Sequence, residues 1–422
     1  MNKKSYYILI AIILTMGILA GCAKVPVETE EVAKTEEVVK TDETEAIAES
    51  TGPIKIGWVA EMTGSWGFVG STGVNGAQLA VDEINATGGV LGRQLELIVE
   101  DSKSDPATAI ALVTRLDTDE NVLVVSGPTM GDTSLAIHGY AEENQLPYAV
   151  PVAATPRLTE PGSKYTFRME PDATGWGYAY ASYIAKVKPG AKVAVMYMDL
   201  ATQASIAAGF VYTAEKFGLE VVADVPFPAD TTDATVEIAQ VKAKNPDYVM
   251  TGGAGGFWIG LKTQLLDGGF SPEQIIDWIG PANIILSGGP RLVGSYIGTF
   301  FDFNFAADNP GIKTFVEKYQ AYKGTIPGYI ENFSYCTIYL IKEAIELAGT
   351  ADNREAFRNA LSAIDTVEFT TGIPIKFDES GARTEYLYIV QIKDVQEKTY
   401  TVEVVDYVTW DATTLPVYEL SR

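Results

Sequence analysis

From Pro53 onward, strand patterns and helix patterns alternate along the chain. Residues 54–59 form a short apolar strand pattern, and residues 74–86 follow with apolar side chains at helical spacing. Residues 94–100 and 122–125 are further strand patterns, each followed by a helix pattern. Strands and helices in this order form a parallel sheet that is covered by helices on both faces. The chain is therefore expected to fold as an α/β protein.

The alternation restarts at residues 193–197 and continues to a helix pattern at residues 257–266. Two such runs predict two doubly wound parallel-sheet lobes, which we expect to be joined by a three-stranded hinge. The predicted division is a signal peptide at 1–21, a linker at 22–52, a first lobe at 53–172 plus about 300–372, and a second lobe at 173–299 plus about 373–422. Open α/β sheets bind ligands at the carboxyl ends of their strands, so the cleft between the lobes is the expected ligand site.

The N-terminus has the order of parts that is typical of an exported protein. Lys3 and Lys4 precede an apolar stretch at residues 6–18, and Leu19-Ala20-Gly21-Cys22 follows. The stretch is shorter than the roughly 20 residues of a membrane span and fits a secretory signal peptide. Small residues before a cysteine resemble a bacterial lipobox, in which the cleaved protein carries lipid on that cysteine. We expect a lipid anchor on Cys22 at the outer face of the bacterial cytoplasmic membrane or in the periplasm; an uncleaved apolar anchor is the alternative.

Composition excludes several classes of function. Residues 24–50 hold nine acidic residues, three lysines and no aromatic residue, which predicts a disordered tether. The formal charge of the whole chain is −24, and an acidic surface repels nucleic acid. The one histidine, His138, cannot supply the several imidazoles of many metal sites. We expect no metal, no cofactor and no nucleic-acid partner.

Motifs that carry catalysis are missing from the sequence. It contains no P-loop, nucleophile elbow or HExxH pattern. The glycine-rich residues 252–256 follow a strand pattern, but they lack the glycine spacing and the later acidic residue of a dinucleotide loop. Close approach of the backbone at the cleft rim is the plainer interpretation. No nucleophile is paired with a base at the strand ends, so a binding protein is expected rather than an enzyme.

An ordered set of motifs carries a resemblance to a known family. The motifs are Ile54-Lys55-Ile56-Gly57, Thr63-Gly64, Asn75-Gly76-Ala77, the run from Asp82 to Arg93, Glu100-Asp101, Ser104-Asp105-Pro106, Gly127-Pro128, Phe167-Arg168, Gly252-Gly253, Asp308-Asn309-Pro310 and Phe377-Asp378. In this order they resemble the branched-chain amino-acid-binding (Leu/Ile/Val-binding) family of type I periplasmic-type binding proteins, over roughly residues 54–405. The resemblance implies a monomeric receptor that closes on a small molecule and delivers it to the permease subunits of an ABC importer.

The resemblance also implies where a ligand binds. The family holds the ligand carboxylate at the start of the helix after Gly127-Pro128, where backbone N–H groups favour an anion. The hydroxyl-bearing pair of the amino-acid-binding members falls on Met130 and Gly131 in this chain. Their loop threonine falls on Ala154, with Thr155 adjacent.

Two further anchors differ in the second lobe. The family's tyrosine falls on about Thr202, and the acidic partner of the ligand ammonium falls on Phe257. A buried ammonium without a carboxylate costs several kcal/mol. A simple α-amino acid is therefore expected only if Asp132, Asp199 or Glu61 takes over that role.

Aromatic residues gather near the predicted cleft instead. Trp66 and Phe68 are placed in the first loop, and Trp176, Phe257 and Trp258 in the second lobe. Aromatic walls suit a flat or apolar ligand, so we expect an amino-acid-like solute or an apolar or aromatic carboxylate with its acid group near Gly131. The predicted ligand-binding residues are Trp66, Phe68, Thr129, Met130, Gly131, Val152, Ala154, Thr155, Thr202 and Phe257. A ligand-sensing receptor component and an amide-hydrolysing enzyme remain alternatives on the same fold.

Overall fold

The structure is a computed structural model that describes residues 51–159, 162–253, 257–278, 282–383, 385–410 and Leu415. All of them belong to one compact unit, which spans residues 49–422. The predictions of a signal peptide, of lipidation at Cys22 and of an acidic tether lie outside the described residues. Within the described ranges, no helix combines the length and the apolar character that a membrane crossing requires.

The first sheet forms the centre of the part that we call lobe I. Its five strands are all parallel, in the order β2-β1-β3-β4-β5. The strands are β1 (Ile54–Ala60), β2 (Leu95–Asp101), β3 (Val124–Ser126), β4 (Tyr148–Val150) and β5 (Thr166–Arg168), and the helices between them are α1 (Gly67–Ala86), α2 (Pro106–Thr118) and α3 (Gly131–Asn144). At the start of α2, the Asp105 carboxylate accepts a 2.7 Å hydrogen bond from the Thr108 N–H, and Pro106 takes the first helical position.

The second sheet forms the centre of lobe II. Its parallel part has the order β10-β9-β8-β6-β7. The strands are β6 (Lys192–Met198), β7 (Glu220–Phe227), β8 (Tyr248–Gly252), β9 (Ile275–Asp277) and β10 (Tyr296–Thr299), and the helices are α4 (Ala173–Val187), α5 (Ala201–Lys216), α6 (Thr235–Ala243), α7 (Phe257–Asp267) and α8 (Ala282–Gly288). Two doubly wound parallel sheets are thus confirmed.

The chain returns to lobe I after β10 and then to lobe II. α9 (Pro310–Lys323), α10 (Tyr329–Ala348), α11 (Arg354–Ser362) and the short antiparallel pair β11 (Asp365–Val367) and β12 (Pro374–Lys376) follow β10. The hairpin of β13 (Glu385–Val395) and β14 (Tyr400–Trp410) then adds antiparallel strands to the edge of the second sheet at β10. Among the described residues, three crossings therefore connect the two sheets, at residues 169–172, 300–309 and 377–383. The finer boundaries predicted for the lobes stay a prediction.

α1 begins seven residues earlier than the pattern of apolar residues indicates. The added segment carries glycine at positions 67, 70 and 73, a composition that is more typical of a loop than of a helix. The glycines are required by packing, since a Cβ on Gly73 would lie 2.9 Å from Ser334 Oγ and one on Gly76 would overlap the backbone of Glu331. α1 therefore lies directly on α10. Trp66 lies at the end of the first loop, as predicted, at the N-cap position of α1, whereas the prediction of a loop at Phe68 is wrong, because Phe68 lies in the first turn of α1.

Candidate ligand-binding site

The carboxyl ends of the strands in both sheets meet at a cleft that encloses about 430 Å³, including the part open to solvent. Boundaries between lobes are where small-molecule sites preferentially occur. Residues of both lobes line it, together with Glu170 of the first crossing. The predicted site residues that line the cleft are Trp66, Thr129, Met130, Gly131, Val152, Ala154 and Thr202. The topology brings these residues together although they are separated by up to 136 positions in sequence, from 66 to 202.

The three other predicted residues lie elsewhere. Phe68 is 49% exposed on the outer face of α1, because that helix starts before it and turns its side chain away. Phe257 packs edge-on against Phe227 at 6.4 Å, and the following residue, Trp258, lines the cleft in its place. Thr155 is buried behind the lining, close to Gly131. A role of Phe68, Phe257 and Thr155 in ligand binding stays a prediction, and their positions in this structure do not favour it.

The amides before α3 bind a carboxylate of this chain. β3 is followed by Gly127, whose φ of 117° and close approach to the Val59 carbonyl leave no room for a side chain. Glu61 accepts hydrogen bonds from the Thr129 N–H at 3.0 Å and from the Thr129 hydroxyl at 2.9 Å, and a longer one from the Met130 N–H at 3.4 Å. Burial raises the pKa of Glu61, whereas these hydrogen bonds act to lower it. Glu61 is thus a built-in anion at the position where a ligand carboxylate was expected.

A second carboxyl group lies where the two lobes meet. The start of α3 faces the start of α5, so closely that a Cβ on Gly131 would lie 2.6 Å from Thr202 Oγ1. Asp132 is in the first turn of α3, and burial raises its pKa, while the N–H of Ala201 at the start of α5 acts in the opposite direction. Carboxylates are stabilised at helix N-termini. The two lobes are therefore in contact, and Asp132 lies between two helix starts.

Tryptophan rings form most of one wall. Trp278 packs between Trp176 at 5.7 Å and Trp258 at 5.2 Å, measured between ring centroids, and all three belong to lobe II. Trp66 contributes a fourth indole from lobe I. The indole nitrogens of Trp66 and Trp278 are buried and have no hydrogen-bond partner among the described residues. The cleft therefore offers both aromatic surface and two unused N–H donors.

Trp258 is fixed from behind by a buried ion pair. Asp277, the last residue of β9, accepts hydrogen bonds from Trp258 Nε1 at 3.0 Å and from Thr251 Oγ1 at 2.9 Å. Lys262 Nζ lies 2.7 Å from the same carboxylate, and both charged side chains are almost fully buried. Burial raises the pKa of Asp277, and Lys262 opposes that rise. This pair holds the indole against the cleft without entering it.

Glu170 is one of the lining residues that sequence analysis missed; the others are Val69, Ala153, Leu200, Gln203, Trp278 and Tyr329. It lies on the crossing between β5 and α4, is 1% exposed, and accepts a 2.8 Å hydrogen bond from the Ala153 N–H at Oε2. Its other oxygen, Oε1, has no partner among the described residues. Burial raises the pKa of Glu170 to about 8, with the Ala153 N–H and the charge of Arg168 acting in the opposite direction. An acidic residue beside the predicted crossing at Asp172 was the available signal.

Comparisons with known proteins agree with this architecture. The family model for periplasmic binding proteins matches residues 53–398, and the chain belongs to that family. The Leu/Ile/Val-binding protein BraC3 of Rhizobium johnstonii is 28% identical over 78% of this chain and 89% of its own length. A leucine-binding protein from Thermotoga maritima is 25% identical with a TM-score of 0.75, over 84% of this chain and 99% of that one. A solute-binding protein from R. palustris in complex with benzoate shares the fold at 19% identity and a TM-score of 0.76, over 86% and 99% of the two chains.

Proposed function

We propose that this protein is the exported solute receptor of an ABC importer, which captures a small organic solute between its lobes and delivers it to a permease. The observation that carries the proposal is the cleft itself, which both lobes and the first crossing build together. A ligand that bridges the lobes stabilises the closed form by its differential affinity, and the closed form docks on the permease. Lipidation at Cys22 would hold the receptor at the membrane.

Binding without turnover is the chemistry that this cleft supports best. The described lining residues include no serine, cysteine or histidine. The ring of His138 lies 2.8 Å from Thr166 Oγ1 at the end of lobe I, away from the described lining. These lining residues therefore supply no serine or cysteine nucleophile and no imidazole base.

The solute is proposed to be amino-acid-like or an apolar or aromatic carboxylate. Leucine appears in the name of the Thermotoga maritima relative, and benzoate is the ligand of the R. palustris structure, so both classes occur on this fold. The aromatic wall of Trp176, Trp258 and Trp278 suits either class through its apolar surface.

A thermal-shift screen tests this function on a soluble form that starts after Cys22. Ligand at a hundred times its dissociation constant adds about 2.7 kcal/mol to the free energy of unfolding, which raises the melting temperature visibly. Small-angle scattering with the same solute is expected to show a smaller radius of gyration. Conversion of the bound solute into a product would instead favour an enzyme.

A further inference from the structure

The charged groups in the cleft all have the same sign. Two of the described lining residues, Asp132 and Glu170, carry carboxyl groups, and none is a lysine, arginine or histidine. Each of these carboxyl groups has a buried oxygen without a partner, Asp132 Oδ2 and Glu170 Oε1. A polar oxygen that is buried without a hydrogen-bond partner destabilises the structure that buries it. The closed cleft therefore contains two acceptors that a ligand with donors would satisfy.

The surroundings of Glu170 do not compensate its charge. Arg168 is the nearest cation, but it also lies 3.7 Å from Asp172 and 3.8 Å from Glu385. The crossings hold one other buried arginine, Arg383, which is 3.3 Å from its own partner, Glu368. These buried residues thus hold four carboxyl groups but only two guanidinium groups. The carboxyl groups are those of Glu170, Asp172, Glu368 and Glu385, and the guanidinium groups are those of Arg168 and Arg383. The excess of acid at the crossings favours a positive charge in the cleft beside Glu170.

Aromatic rings complete the surroundings of Glu170. The indole N–H of Trp176 donates a 3.2 Å hydrogen bond to the carbonyl of Pro171, the residue after Glu170. The charge of Glu170 also contributes to the raised pKa of Tyr329, whose side chain lines the same cleft. Tryptophan attracts cations through the face of its ring more strongly than other aromatic residues, and aromatic cages bind ammonium groups. The Glu170 carboxylate and the indole rings thus line the same cleft, and this combination of groups is the one that binds organic cations.

The positions that would favour an anion are already taken. Glu61 holds the N–H groups of Thr129 and Met130, and Asp132 lies between the starts of α3 and α5. An amine-free carboxylate would have to enter beside two carboxyl groups of the protein. Two indole N–H groups of the lining residues, Trp66 Nε1 and Trp278 Nε1, have no partner among the described residues and suit a neutral acceptor or one end of a zwitterion.

We propose that the solute carries a cationic nitrogen, which binds the Glu170 carboxylate beside the tryptophan rings, together with an acceptor for the indole N–H groups. The class comprises organic amines and quaternary ammonium compounds, including zwitterions. This inference rests on the proposed function. It favours amino-acid-like solutes over amine-free carboxylates, and it adds organic cations that carry no carboxylate.

Protonation of Glu170 gives the proposal a distinct pH dependence. The groups that face it are Arg168 and the Ala153 N–H, which favour its ionised form, and Tyr329 and Asp132, which share the cleft. Because burial raises the pKa of Glu170 to about 8, a cation must displace a proton when it binds below that pH. Affinity for a cation should rise up to about tenfold per pH unit between pH 6 and 8, and affinity for an anion should fall.

Matched ligands of one shape test the charge directly. Calorimetry and thermal shift would compare benzylamine with benzyl alcohol and benzoate, and choline with its uncharged isostere 3,3-dimethylbutanol, with leucine as a zwitterion. Each cation is expected to bind about tenfold or more tighter than its neutral counterpart. Binding at pH 6.5 in buffers of different ionisation enthalpy should release protons.

A variant assigns the effect to Glu170. Glu170→Gln keeps the shape and the acceptor for the Ala153 N–H, and it is expected to weaken the cation about tenfold or more and to abolish proton release. Glu317→Gln, at an exposed position of α9, is the control and should change neither. Circular dichroism checks that both variants fold, and the pH profile of the unaltered protein is a test that needs no variant.

The outcomes separate the inference from the function on which it rests. Tighter binding of cations with proton release supports the inference. Tighter binding of benzoate than of benzylamine, or affinity that falls from pH 6 to 8, overturns it and leaves the solute receptor intact. Failure of a broad panel of cations, anions and zwitterions to stabilise the protein would overturn the receptor function, and the inference would fall with it.

Discussion

Replacing Gly131 by alanine is expected to weaken ligand binding because the new methyl group obstructs closure of the lobes. Its Cβ would lie 2.6 Å from Thr202 Oγ1, whereas ordinary contact begins at 3.4 Å. The two helix starts would have to separate by about 3.4 − 2.6 = 0.8 Å, or Thr202 would have to rotate. Only the closed form carries this overlap, since Gly131 and Thr202 belong to different lobes.

Overpacking of this kind costs about 1–3 kcal/mol. When the whole cost falls on the closed form, the apparent dissociation constant rises by the same factor, about 5- to 150-fold. If Thr202 rotates away, the rise in the dissociation constant should lie at the lower end of this range. Gly131→Val should raise the dissociation constant more than Gly131→Ala does. The stability of lobe I should not fall, because alanine is favoured over glycine inside a helix by about 1 kcal/mol.

Calorimetric titration with a solute that stabilises the unaltered protein measures the effect. Gly139→Ala is the control, because it makes the same change in α3 at a position with no atom within 4 Å. Thr202→Ala should restore part of the affinity of Gly131→Ala, and the double-mutant cycle isolates that coupling from any direct role of Thr202. Unchanged affinity in Gly131→Ala, or a coupling energy of zero, would refute the closed contact.

Three further predictions concern charge and anchoring. Asp277→Leu should lower the free energy of unfolding, measured by urea titration, by about 3–5 kcal/mol, because Lys262 is left as a buried unpaired cation. The double variant Lys262→Met with Asp277→Leu should recover most of that loss. The melting temperature of the ligand-free protein should fall as pH rises from about 5 to 8. Burial raises the pKa of both Glu170 and Glu385 to about 8, so over this range the folded state retains protons that the unfolded chain has lost. Glu170→Gln should reduce this dependence on pH, and a melting temperature that rises over the same range would contradict the prediction. Cys22→Ser should move the protein from the membrane fraction to the soluble fraction, and continued sedimentation with membranes would favour an uncleaved apolar anchor.

The sequence predicts the sheets better than the site because strand and helix periodicity is local. The strand predicted at 54–59 is confirmed by β1, and the helix predicted after the strand pattern at 94–100 is confirmed by α2. The start of α1 was missed because the contact of Gly73 and Gly76 with α10 arises from a helix more than 250 positions later. Local composition in that stretch is that of a loop, and only tertiary packing accounts for the glycines.

The aromatic residues illustrate the same limit at the cleft. Adjacent residues of a helix point in directions about 100° apart, so a one-residue difference decided that Trp258 rather than Phe257 lines the site. Trp278 follows a strand, β9, that the sequence pattern did not indicate. Glu170 was missed for a different reason: its neighbours in the fold, Ala153 and Tyr329, lie far from it in sequence.

The position of Glu170 on a crossing links the charge of the solute to closure of the lobes. Opening the cleft would return water to the Glu170 carboxylate, whereas in the closed form it is 1% exposed with one oxygen unpartnered. When the lobes close without a cation, Glu170 must either keep a desolvated charge or take up a proton, and both are unfavourable. When they close around a cation, neither is needed. A ligand shifts a two-state equilibrium only by its differential affinity for the two states. A cationic solute gains that difference at Glu170, so the residue that sets the preferred charge of the ligand would also make closure depend on the ligand being present.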